Sequence, residues 1–103
     1  MPYIVDKYRR ELDQEIEAFI KKVNEIHAKN PEQTRDGLLN YSFTRILNCV
    51  YPRTKYHELN EAIGMLECLK QEYYRKRVGP YEDIKERENG AVEVAREEKD
   101  NKY

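Results

Sequence analysis

Apolar residues recur along this chain at spacings of three and four, the period of a helix with one face turned inward. Leu12, Ile16, Phe19, Ile20, Val23 and Ile26 predict a first helix over about 6–29, with Asp6 as its cap and residues 2–5 as a short extended lead. Asn30-Pro31 ends it, because proline disfavours helical geometry in the residue before it. After a polar loop around 32–36, Leu39, Phe43, Ile46, Leu47 and Val50 predict a second helix over about 37–51, closed by Pro52 and Arg53. Leu59, Ala62, Ile63, Leu66, Leu69 and Tyr73 predict a third over about 56–78, stopped by the Gly79-Pro80 breaker. A short fourth helix over 80–88 then ends at Asn89-Gly90. Gly64, inside the third helix, costs about 1 kcal/mol relative to alanine and suggests a helix passing close by.

The expected fold is therefore all-α: an antiparallel bundle of three main helices with a short fourth segment. Residues 1–90 form a single helical domain, and 91–103 a charged, flexible tail. Its 103 residues fit one domain but bury only about two-thirds of the unfolded surface, so a second subunit would help. Hydrophobic residues make up 39% and charged residues 38%, with a mean hydropathy of −1.04, which points to a thin core. Nine Tyr beside two Phe and no Trp suit half-buried positions and interfaces.

Charge narrows the function classes. A net charge of −1 argues against a surface that grips nucleic acid everywhere. Only residues 82–103 lean to one sign, with five basic and eight acidic side chains. Cys49 and Cys68 are too few and too far apart for a disulfide framework or zinc knuckle, and their helical contexts suggest small buried hydrophobes. No apolar run approaches the roughly 20 residues of a membrane span, and residues 1–6 lack the apolar block of a signal peptide. A cytoplasmic protein is expected.

Asn40-Tyr41-Ser42-Phe43-Thr44, Asn60-Glu61-Ala62-Ile63-Gly64-Met65-Leu66-Glu67, Lys70-Gln71-Glu72-Tyr73-Tyr74-Arg75, Pro80-Tyr81-Glu82-Asp83 and Glu88-Asn89-Gly90 carry a resemblance. Together with the Met-Pro-Tyr-Ile start, they resemble a family of short uncharacterised helical proteins from phage genomes, bacteria and archaea. The likeness covers most of residues 1–90 and is densest over 60–90. The chain departs from the family's pattern at Arg75-Lys76, where paired arginines are usual. It departs again at Ala91, where an acidic residue usually follows Asn-Gly. The resemblance implies a helical domain and lends no activity, cofactor or site.

No complete catalytic, metal or cofactor constellation is legible. Glu58 and Glu61 share the Glu-x-x-Glu spacing with which all-α nucleoside triphosphate pyrophosphohydrolases hold magnesium, with Glu67 and Glu72 further along the same helix. The second helix has no acid between Leu38 and Tyr51, so the opposing half of such a cage is missing. Pro2 invites comparison with the amino-terminal general base of the tautomerase superfamily. That fold needs a β-α-β unit, and nothing after residue 30 supplies a second strand. His27 and His57 are isolated and read as surface or helix-end histidines.

Two sets of polar residues remain. Tyr73, Tyr74, Arg75, Lys76 and Arg77 interleave aromatics with cations, the pattern that stacks bases and meets phosphates. Cations closing a helix also complement its dipole, which is a sufficient structural reason for them. Asn60, Gly64, Glu67, Gln71, Tyr74 and Val78 form a second stripe beside the apolar one. With Asn40, Tyr41, Thr44, Arg75 and Tyr81 they are the candidate polar network or interface. The leading expectation is a non-enzymatic protein-interaction or assembly module, as a homodimer or within a larger complex. The first alternative is a nucleic-acid-binding accessory protein using residues 73–77, and the second a metal-dependent nucleotide hydrolase.

Overall fold

The computed structural model describes residues 2–51 and 55–93. Its regular structure is entirely helical. The elements are α1 (Asp6–Lys29), α2 (Arg35–Val50), α3 (Tyr56–Tyr73), a π-turn (Tyr74–Val78) and α4 (Gly79–Asn89). The break expected at Pro52 and Arg53, and the tail from residue 94 onward, lie outside the described residues. Residues 91–93 adopt no regular structure. The chain divides into two compact units, with the boundary between Leu69 and Lys70.

In the first unit, α1 and α2 are joined by a loop whose polar groups are satisfied locally. The Asn30 backbone N–H and its side-chain Nδ2 both donate to the Ile26 carbonyl, at 2.9 and 3.1 Å. His27 Nδ1 lies 2.6 Å from the Gln33 carbonyl oxygen, and because a carbonyl only accepts, Nδ1 is the protonated nitrogen. Pro31 follows the end of α1 as the sequence predicts. The cap of α1 differs from expectation. Val5 occupies the cap position in extended geometry, while Asp6 is the first helical residue and pairs with Arg10 at 3.0 Å. A carboxylate in the first turn still complements the positive end of the helix dipole.

Thr34 caps α2, its hydroxyl oxygen accepting from the Gly37 N–H at 3.2 Å, so the helix begins two residues earlier than its apolar period suggests. The two helices meet through Phe19 and Phe43, with ring centroids 6.4 Å apart and planes tilted by 40°. Val23, one turn after Phe19 on α1 and 8% exposed, is the single buried hydrophobic residue among those described. The core is therefore thinner than even the composition suggests.

The second unit holds the clearest departure from expectation. Gly79-Pro80 does not break the helical path. Gly79 keeps helical geometry (φ −55°, ψ −53°) and donates its N–H to the carbonyl of Tyr74, five residues back. Proline has no N–H to give, and in regular α geometry its ring strikes the carbonyl four residues earlier. A π-turn adds one residue to the loop of the hydrogen bond, which relieves that mismatch and lets the chain run on into α4. α4 ends where the sequence predicts, at Gly90, whose φ of +94° is open to glycine and strained for other residues.

Candidate interaction surfaces

The predicted polar set is exposed, except for Val78, which is half-buried. In the first unit, Asn40, Tyr41 and Thr44 share a shallow hollow on α2 with Arg45 and Asn48, where the Thr44 hydroxyl donates to Asn40 Oδ1 at 3.4 Å. Asn60, Gly64 and Glu67 lie along an exposed face of α3. A methyl group added at Gly64 would meet no atom within 4 Å, so among the described residues of the first unit no helix passes close to it, contrary to the expectation. Cys49 and Cys68, expected to be buried, are free thiols on the surface.

In the second unit, the chemistry of residues 73–77 is largely turned on itself. Arg75 pairs with Glu72 at 2.9 Å, Arg77 lies over the Tyr73 ring at 5.9 Å, and the Tyr74 hydroxyl donates to Glu82 Oε1. These cations do not close a helix, since the Tyr74 carbonyl is taken by the Gly79 N–H and the chain continues into α4. The dipole-capping reason for them therefore falls. Gln71 and Tyr81 are exposed in the same unit, and Lys85 lies 5.7 Å from the centre of the Tyr81 ring while also pairing with Glu88 at 3.2 Å. Glu82 was legible only as a flanking acid. The π-turn, which brings it onto Tyr74, leaves no periodic signal in the sequence.

Electrostatics follow from these contacts. The Glu82 carboxylate accepts the Tyr74 hydroxyl proton and, with Asp83 nearby, opposes a second negative charge, which raises the Tyr74 pKa above the usual tyrosine value. Asp36 is held below its usual value by a hydrogen bond from the Thr34 hydroxyl and by the backbone N–H groups of Asp36 and Gly37. Thr34 thus accepts at the helix start and donates to the first-turn carboxylate.

Among the described residues, no three of His, Cys, Asp and Glu converge as a metal site would require, and no helix is long and apolar enough to cross a membrane. What the surface does offer is apolar area. Leu12, Ile16 and Ile20 on α1, and Leu59, Ile63 and Leu69 on α3, are all exposed. Periodicity identified these faces as apolar and assigned them to a core, a task that in this chain falls to Val23 and its half-buried neighbours.

No curated protein and no solved structure matches the chain. A family model does, over residues 1–92, which takes in every helix described above. The chain belongs to that family, the domain of unknown function DUF6899.

Proposed function

We propose that this protein is a non-enzymatic interaction module that works by self-association. The observation that carries the reading is the exposure of apolar helix faces: Leu12, Ile16 and Ile20 on one helix, and Leu59, Ile63 and Leu69 on another. Fully burying such a side chain contributes about 1.5–3 kcal/mol, so finishing the burial of a half-exposed one is worth about 1 kcal/mol. A monomer leaves that contribution unused at six positions on two helices, and a partner recovers it. The half-exposed Tyr8 suits the rim of such a contact, where a ring can pack while its hydroxyl stays wet. Two free surface thiols suit a reducing compartment such as the cytoplasm.

The test is sedimentation velocity and native mass spectrometry over a concentration series. A concentration-dependent oligomer supports the reading. A chain that stays monomeric at the highest accessible concentration, yet folds cooperatively, overturns it.

A further inference from the structure

The N-terminal half of α1 carries a ridge at every fourth residue. Ile4 in the lead, then Tyr8, Leu12, Ile16 and Ile20, are all between 43% and 52% exposed. The ridge is symmetric about Leu12. Charge along the same stretch is not: after Asp6 at the helix start, Lys7, Arg9 and Arg10 come without an acid among them, and Glu11, Asp13, Glu15 and Glu17 follow without a cation. Arg10 is already paired with Asp6, and Arg9 donates through Nε to the Ile4 carbonyl at 2.7 Å, which leaves the outer guanidinium N–H groups of Arg9 for other contacts.

Resting on the self-association reading above, we infer that the occupant of this ridge is a second copy of the chain, docked antiparallel on α1 with the two-fold axis at Leu12. Ridges formed by every fourth residue interdigitate when two helices cross, which is the commonest packing of helices in soluble proteins. A two-fold axis makes the contact self-complementary: Leu12 meets its own copy, and Tyr8 meets Ile16 on both sides. The charges select the direction. A parallel arrangement sets cations on cations and acids on acids. The antiparallel one brings Arg9 beside Asp13 of the second copy along one flank, and Lys7 beside Glu15 along the other, each within a turn of its partner. Glu11, the charged residue closest to the axis, faces its own copy and opposes the contact.

The test uses the full chain in two charge-reversed forms, K7E with R9E and D13K with E15K, alongside wild type. Circular dichroism first establishes that each is helical. The expected result is that each double variant alone dissociates at least about tenfold more readily than wild type, because both flanks become like-charged. An equimolar mixture of the two should regain wild-type association as a heterodimer, and E11Q should associate more tightly than wild type. If wild type self-associates and the reversed forms do so equally well, this surface is wrong while self-association itself stands. If the folded double variants weaken but their mixture does not recover, the antiparallel pairing is overturned. A wild type that remains monomeric overturns both this inference and the reading beneath it.

Discussion

Tyr74 reaches across the π-turn and the three residues after it to donate its hydroxyl hydrogen to Glu82, joining the start of the turn to the first turn of α4. The contact spans the point at which Pro80 withholds a backbone N–H, so a side chain supplies a bond there in place of the one the backbone cannot make. Removing the hydroxyl with Tyr74→Phe should loosen α4 while leaving α1 and α2 unchanged. Amide hydrogen exchange resolved along the sequence checks this: faster exchange confined to residues 79–89 is the expected pattern, and uniform acceleration would refute the local role.

The same contact has a pH signature. Tyr74 is raised above the usual tyrosine value of about 10 because the neutral hydroxyl is the donor and ionisation sets two negative charges side by side. A group whose folded-state pKa is raised contributes its full stability below the unfolded value and loses it as pH climbs through the folded one. The stability difference between wild type and Tyr74→Phe should therefore be constant at neutral pH and shrink above about pH 10. Thermal melts of both proteins across that range give the comparison.

At the start of α2 the sign is reversed. Asp36 is depressed by the Thr34 hydroxyl and two backbone N–H groups, so its contribution is present above the usual aspartate value near 3.8 and fades as pH falls through the depressed one. Thr34→Ala removes both the helix cap and the donor to Asp36, and should cost about 1 kcal/mol at neutral pH. Urea melts at pH 7 and pH 3 should give a smaller Thr34→Ala penalty at the lower pH, since below the usual aspartate value the unfolded chain takes up a proton that the bonded carboxylate resists, and the net contribution of that bond shrinks.

These features differ in how far the sequence announces them. The ends of α1 and α4 are legible because Pro31 restricts the residue before it and Gly90 opens a positive φ that other residues resist, whatever surrounds them. Helix faces are legible because Leu12, Ile16, Phe19 and Val23 keep the helical period. What covers those faces is not, since periodicity registers amphipathicity and carries no record of the neighbour, and so Val23 is buried while Ile16 is not. The Gly79-Pro80 pair misleads for a related reason. Each residue alone disfavours α-helix, but a π-turn is a third option that local propensity does not distinguish from a break.

Two glycines separate those effects experimentally. A methyl group at Gly64 meets open space on an exposed helix, so Gly64→Ala should raise monomer stability by about 0.5–1 kcal/mol. At Gly79 the same methyl group would lie 3.3 Å from the Tyr74 carbonyl oxygen, a tight approach imposed by the π-turn, so Gly79→Ala should gain less or become destabilising. Melting temperatures at concentrations where the chain is monomeric rank the two. The reverse order would mean that the π-turn does not constrain Gly79.

The basic patch is the remaining place where sequence and structure pull apart, and a direct experiment addresses it. Nucleic-acid grooves hold cations toward solvent and aromatics free to stack, whereas here Arg75 is engaged by Glu72, Arg77 by the Tyr73 ring and Tyr74 by Glu82. Freeing them for phosphates means surrendering those partners, and the acids flanking the patch, Glu72, Glu82 and Asp83, repel the same phosphates. Three cations neutralising phosphates would give a log–log salt slope of about −2 to −3, depending on whether the strand is single or double. The expected outcome is that fluorescence anisotropy with single- and double-stranded oligonucleotides finds no binding of that slope, and that Arg75→Glu behaves as wild type. A steep salt dependence abolished by Arg75→Glu would instead mean that the Glu72 and Tyr73 contacts are the resting state of a nucleic-acid site.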